Sequence, residues 1–318
     1  MQCAFLLTLP MERFMTSLQD IINPILLNND VVVKQQHLGV LRVTGVDAKK
    51  FLQGQITCDI NKLTPDSGLY GAICSIKGRI ITNFYLVQYN EDILMLMAKD
   101  LVEKTTLHLK KYAVFFKTEL IDTQDKMTVY ASFSAQNEAQ PSNHPERFDT
   151  TQSKNGVTLT LCQKPLVMQW HIVESESANL TEQNAHLSAL SILDARPLIY
   201  LEQSETILPQ WLNMQSTGGI SFTKGCYTGQ EIVARMQYKG KSKKQLALVT
   251  WDGLLDTTKD ITDAQGKSVG QVFAVAAIQS THFAQIILNI EPNETETLSL
   301  DNHVVTLLPL PYSLETKK

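Results

Sequence analysis

GGISFTKGCYTGQEIVARMQYKG, residues 218–240, changes character in its middle. GISF is short, apolar and β-prone, whereas GQEIVARM has helical periodicity, with Ile232, Val233 and Met236 on one stripe. Thr228 and Glu231 stand at capping-box spacing, which predicts a helix starting there. Cys226 then falls just ahead of a helix N-terminus, beside Gly225 and two residues after Lys224. A helix dipole, a nearby cation and a glycine that frees the backbone all favour an exposed, reactive thiolate. The competing reading is a small buried residue, a common fate of free cysteines. Cys58, Cys74 and Cys162, in apolar or strand contexts, take that second reading.

Downstream of this stretch, LALVTW, VGQVFAVAAI, AQIILNI and HVVTLLPL read as strands joined by turns such as QGKS and EPNETE. A small all-β unit over residues 241–318, a barrel or short sandwich, is expected. Upstream the pattern is α+β. LGVLRV is a strand, and TGVDAKKFLQG a helix capped by Thr44, with Val46 on its apolar face. GLYGAICS, RIITNFYLVQ and ILMLMA form an antiparallel meander, because their links are too short for parallel crossovers. DLVEKTTLHLKKY is a helix with Asp100 and Glu103 at capping-box spacing, followed by a strand in AVFFKTELI. Residues 136–156 are a polar surface loop. VTLTL and LVMQWHIV are strands, and a helix over about 183–193 ends before Pro197. The expected division is an extension over 1–29, a region over 30–240 built from two interleaved subdomains (about 30–125 and 126–240), and the 241–318 unit.

The 318 residues are 43% hydrophobic and 19% charged, the balance of a globular protein, with a net charge of −4. Five scattered cysteines without a CxxC pair exclude a disulfide framework or zinc finger, and point to reduced thiols in a cytoplasmic protein. The seven histidines show no HxxxH or HExxH spacing, so no metal site is expected. The apolar run Ala4–Pro10 is short and follows no positive charge, unlike a secretory signal, and no run reaches membrane-spanning length. Lys224, Arg235, Lys239, Lys241, Lys243 and Lys244 against Glu231 give residues 224–244 a net charge of +5. That patch can hold an anionic ligand or face RNA, or it is a solvated connector.

KGCYTGQEIVAR, residues 224–235, resembles the hallmark of the YgfZ family of folate-binding proteins, relatives of the aminomethyltransferase (T-protein) of the glycine cleavage system. The octet carries Lys224, Gly225, Cys226, Tyr227, Gly229, Gln230 and Glu231, with Arg235 following. FLQGQITCDI, KGRI, LKKYAVF, LPQWLNMQSTGGISF and LPLPYSLE are similar to further family segments in the same order, over roughly residues 30–316. The resemblance implies a T-protein-like folate-binding fold of three domains in a ring, the last a β-barrel. It implies tetrahydrofolate or a one-carbon derivative as ligand. The implied role is upkeep of iron–sulfur enzymes, including the radical enzyme that methylthiolates a tRNA adenosine, with Cys226 as the key thiol.

The resemblance also sets expectations for the ligand site. T-protein enzymes carry a catalytic aspartate on the strand after a Gly-rich turn, where this chain has Thr82 and Asn83, so aminomethyl transfer is disfavoured. Tryptophans that some relatives place against folate correspond to Leu38 and to Leu187 or its neighbour His186. Asp194 corresponds to a carboxylate that pairs with the pterin N–H groups. Rival functions are a folate-dependent one-carbon transferase using Asp194, and a tRNA-binding module using Lys239, Lys241, Lys243 and Lys244. An open ring around a small ligand needs no partner chain, so a monomer is expected.

Overall fold

The computed structural model describes residue 26 and residues 31–123, 126–134, 148–162, 166–175, 185–239, 244–278, 280–291 and 297–315. Ten antiparallel strands form one sheet: β1 (Val31–Lys34), β2 (Leu38–Thr44), β3 (Ser67–Cys74), β4 (Ile80–Tyr89), β5 (Asp92–Ala98), β6 (Glu119–Asp122), β7 (Met127–Ser134), β8 (Phe148–Ser153), β9 (Gly156–Cys162) and β10 (Val167–Glu174). Their order is β1-β7-β10-β9-β8-β3-β4-β5-β2-β6. Laid flat, β1 and β2 would be eight strand spacings apart, roughly 38 Å. Yet only Gln35, Gln36 and His37 join them, a link of at most about 14 Å. The sheet must therefore curl until its ends approach; Thr123 N–H donating to Val40 O prolongs the β6–β2 pairing at one end, and Gln35 N–H donating to Val129 O prolongs the β1–β7 pairing at the other. The two halves meet where β3 and β8 pair over only Ser67–Asp149 and Gly68–Phe148.

Strand β4 shows why the sheet is covered on both sides. Phe84 and Leu86 point into a core with Phe51, Leu52 and Leu109, under helices α1 (Ala48–Gln53) and α2 (Val102–Ala113). Tyr85 and Val87, one residue out of phase, point into the other core, with Trp170, Leu193 and Met214. The second core faces a closed six-stranded barrel, β11 (Gln245–Asp252), β12 (Asp260–Thr262), β13 (Ser268–Ile278), β14 (Thr281–Leu288), β15 (Leu298–Leu300) and β16 (His303–Leu308). The expected meander and terminal all-β unit are thus present.

Several local expectations need correction. Helix α1 starts after Asp47, not Thr44, which ends β2; Asp47 turns its carboxylate to the Lys117 N–H instead. Val46 is 87% exposed rather than on a buried face. Asp100 lies in a 3₁₀ turn before α2 and accepts from Leu201 N–H, so it forms no capping box with Glu103. The strand expected from Ala113 begins at Glu119, because α2 continues to Ala113 and Phe116 turns inward onto Phe51. The helix expected over 183–193 is a 3₁₀ segment, Ala185–Asp194. Most of the polar loop, residues 135–147, lies outside the described residues, as does the 1–29 extension apart from Leu26.

His171 on β10 stitches its neighbours: Ser132 of β7 lies 2.7 Å from Nε2, and Thr158 of β9 lies 3.0 Å from Nδ1. Burial lowers the pKa of this imidazole below its ordinary 6.5, so the folded state favours the neutral ring. Its contribution is complete above pH 6.5 and is lost as pH falls through the folded-state value. The urea midpoint is therefore expected to drop between pH 7 and pH 5, and His171→Gln to flatten that slope. An unchanged slope in His171→Gln would assign the dependence elsewhere.

Candidate functional site

Where the curled sheet, the 3₁₀ segment and the barrel meet there is a cavity of about 700 Å³. Its walls include the Lys34–Leu38 link, Tyr85, Trp170, Asp194, Arg196 and, from the barrel, Phe273 and Gln285. Each is placed by a local rule. Tyr85 and Trp170 are inward positions of alternating strands, with ring centroids 5.0 Å apart in edge geometry. Phe273 is the unpaired residue of a bulge between Val272 and Ala274, the kind of irregularity that redirects a side chain. Gln285, buried on β14, donates to Ile192 O at 2.9 Å and fastens the barrel to the 3₁₀ segment.

The deep end is a buried polar network. Asp194 Oδ1 pairs with Arg196 at 2.5 Å, and Oδ2 accepts from Tyr85 Oη at 2.8 Å. Burial raises the Asp194 pKa, while the Arg196 charge and the two hydrogen bonds oppose the rise. Arg196 is flanked by the rings of Phe148 and Tyr312, 5.2 and 5.0 Å from its guanidinium carbon. Tyr312, from the LPLPYS segment, donates to Ala195 O at 2.8 Å. Arg196 and Trp170 both line the cavity, and each carries a buried donor, Nε and Nε1, that has no partner. Buried N–H groups without acceptors are costly, so this wall is suited to a ligand that brings acceptors.

Of the residues expected here, Leu38 and Asp194 line the cavity. Leu187 and His186 lie in the 3₁₀ segment, and their side chains are outside the described residues. Tyr85, Trp170, Arg196 and Phe273 escaped the sequence reading, although Trp170 and Tyr85 sat at inward positions of recognised strands. Asn83 is fully engaged in structure: it donates to Tyr70 Oη and Pro197 O and accepts from Ile199 N–H.

The motif lies at the Cys74 end of β3, where Gly229 packs against Ser75 and Gly78, and Val233 joins the core that holds Tyr85 and Trp170. Helix α3 runs Gln230–Lys239, so Thr228 and Glu231 are one residue out of register for a capping box, and Cys226 precedes the helix by four residues. Gly229 is the residue this geometry requires: its φ is +83°, and a Cβ there would strike Ser75 O. Gly225, by contrast, has open space around it. Tyr227 is buried, whereas Glu231 and Arg235 are exposed. Lys224 does not sit free beside the thiol. Its Nζ donates to Gln53 O (2.7 Å), Ile56 O (2.6 Å) and Cys58 O (3.0 Å). Burial lowers its pKa to about 8, and three carbonyl acceptors suit the ammonium form.

Cys226 is exposed, whereas Cys58, Cys74 and Cys162 are buried. Burial pushes the Cys58 and Cys74 thiols up to about 12, and Cys162 higher still. Of the four described cysteines, Cys226 alone is open to a partner. Cys226→Ser is expected to change unfolding free energy by less than about 0.5 kcal/mol, as for an exposed position; a larger loss in urea unfolding would make the residue structural. In the basic segment, Lys244 lies 4.0 Å from the Trp211 ring centroid. Lys241, Lys243 and the Lys239 side chain lie outside the described residues. No group of three or more metal-ligating side chains occurs among the described residues, and no described helix is long and apolar enough to cross a membrane.

A curled antiparallel sheet with a closed barrel docked over a central cavity is the aminomethyltransferase-like fold. The glycine cleavage system aminomethyltransferase T from Bartonella henselae superposes with a TM-score of 0.62 over 91% of this chain and 88% of its own, at 12% identity. Within that fold class the chain belongs to the YgfZ family. It is 31% identical over 294 residues to the tRNA-modifying protein YgfZ of Escherichia coli strain 536, covering 86% of this chain and 90% of the relative. The same figures hold for the protein of that name from E. coli O157:H7 strain EC4115. No family model matches the chain.

Proposed function

We propose that this protein binds tetrahydrofolate or a one-carbon derivative in the central cavity and serves in the cytoplasm as an accessory factor for iron–sulfur enzymes. Its clients would include the enzyme that methylthiolates a tRNA adenosine, with Cys226 as the working thiol. The observation that carries the folate reading is the pairing of an aromatic wall with unpartnered buried donors. Tyr85 and Trp170 offer ring surface to a flat heterocycle. Arg196 Nε and Trp170 Nε1 suit the keto oxygen and ring nitrogens of a pterin, and exposed Lys34 at the rim suits a glutamate carboxylate. Bound folate would supply one-carbon carrying capacity.

The transferase alternative has less support. Asp194 already has both oxygens engaged, and Asn83 is neutral and fully bonded. The tRNA-binding alternative uses Lys239, Lys241, Lys243 and Lys244, and of these four Lys244 alone has a described side chain. Titration calorimetry with tetrahydrofolate tests the main reading. Wild type is expected to bind, and Ala276→Trp, which fills the cavity from β13, to lose at least tenfold in affinity. Equal binding by both would move the ligand out of this cavity.

A further inference from the structure

Three large apolar side chains stand out into solvent on two adjoining loops: Val46 (87% exposed), Val114 (74%) and Phe115 (84%). They are not on slack chain. Asp47 N–H donates to Lys117 O at 3.3 Å, Lys117 N–H donates to Asp47 Oδ2 at 2.8 Å, and Thr118 Oγ1 donates to Thr44 O at 2.9 Å. Gly45, at φ +104°, permits the close approach, since a Cβ there would meet Lys117 O. Phe116 is turned inward onto Phe51, with ring centroids 5.4 Å apart, which fixes Phe115 outward. A clasped pair of loops thus holds an aromatic and two branched side chains away from the core. Exposed apolar surface fixed in this way marks contact with another molecule.

The charges around the patch choose the partner. Lys110, Lys111 and Lys117 are exposed on the stretch that carries Val114 and Phe115, against one exposed carboxylate there, Glu119, on a chain whose net charge is −4. The nearby Asp47 carboxylate is occupied by the Lys117 N–H. We propose that Val46, Val114 and Phe115, rimmed by these lysines, dock an acidic protein surface that receives Phe115 in an apolar notch. An aromatic anchor inside a charged rim is the usual anatomy of such a contact. A nucleic acid would leave the two valines unused, and three side chains are a small anchor for a membrane. The platform stands at the start of α1, a helix about 9 Å long. Lys224 grips the far end of that helix through Gln53 O, two residues before exposed Cys226. A partner seated on the platform is therefore held near the thiol. This last step rests on the client-factor reading above, whereas the docking contact does not.

The test places a photocrosslinking benzoylphenylalanine at position 115 of the full chain in cells, with the same group at Leu254, 91% exposed on the barrel, as control. Adducts are separated and identified by mass spectrometry. A discrete adduct with an acidic protein at 115 and not at 254, falling roughly tenfold with Lys110→Glu/Lys111→Glu, is expected. Adducts equal at both positions, an adduct insensitive to the charge reversal, or adducts with RNA or lipid would each overturn the proposal. Crosslinking does not require folate, so loss of the folate reading leaves this result standing.

Discussion

Asp194→Ala is expected to lower the unfolding free energy by about 3–5 kcal/mol, the cost of leaving a buried charge without its partner. The side chains of Asp194 and Arg196 are 5% and 6% exposed, so little water reaches the guanidinium left behind. The same change takes the acceptor from Tyr85 Oη, which is fully buried between the two halves of the sheet. Removing both charges should be milder than removing one. Asp194→Leu/Arg196→Met is expected to recover a good part of the loss, because a buried ion pair offsets its own desolvation only in part. Urea unfolding of the single and double variants measures the coupling directly. A single-variant loss under about 1 kcal/mol would mean that water or a local shift repairs the site.

Lys224→Met should cost on the order of 3 kcal/mol, because it strands three carbonyls that now share one ammonium. Those carbonyls, Gln53 O, Ile56 O and Cys58 O, lie at the end of α1 and in the turn after it, and Lys224 joins them to the motif segment beside two further bonds, Ser221 N–H to Thr57 O and Thr57 Oγ1 to Gly219 O. Lys224→Arg is not expected to rescue. A planar guanidinium directs its donors in a fork and cannot converge on three oxygens around one point. Amide hydrogen exchange should rise together over residues 53–58 and 224–230 in the methionine variant. Protection unchanged in both segments, with stability near wild type, would show that Lys224 is not their fastening. The motif lysine thus acts on Cys226 through position: it anchors the strand of chain from which the thiol projects.

The sheet was legible as short apolar, β-prone runs between turn residues, such as RIITNFYLVQ, in which Phe84 and Tyr85 face opposite cores and are both buried. The barrel was legible from turn spacing after Gly240. Cys226 was legible as the one cysteine in a turn between glycines, and the structure leaves it exposed. The cavity was harder to read. Its walls come from β1, β4, β10, the 3₁₀ segment and β13, which meet only because the sheet curls. No local pattern reports that Tyr85 and Arg196 share Asp194, 109 and 2 residues away from it along the chain. Lys224 misled for a related reason. Its distance of two residues from Cys226 suggested a charge beside the thiol, whereas its partners lie 166–171 residues away. Helix starts also shifted, to Ala48, Val102 and Gln230; before the first two, Asp47 and Asp100 turn their carboxylates to Lys117 N–H and Leu201 N–H instead of capping the helix.

The measurement closest to the central claim is the level of methylthiolated adenosine in tRNA from cells lacking this protein. Those cells are complemented with wild type or Cys226→Ser at matched abundance. Restoration by wild type alone, with Cys226→Ser still folded and still binding tetrahydrofolate, is the expected result. Full restoration by Cys226→Ser would contradict the assignment of Cys226 as the working thiol.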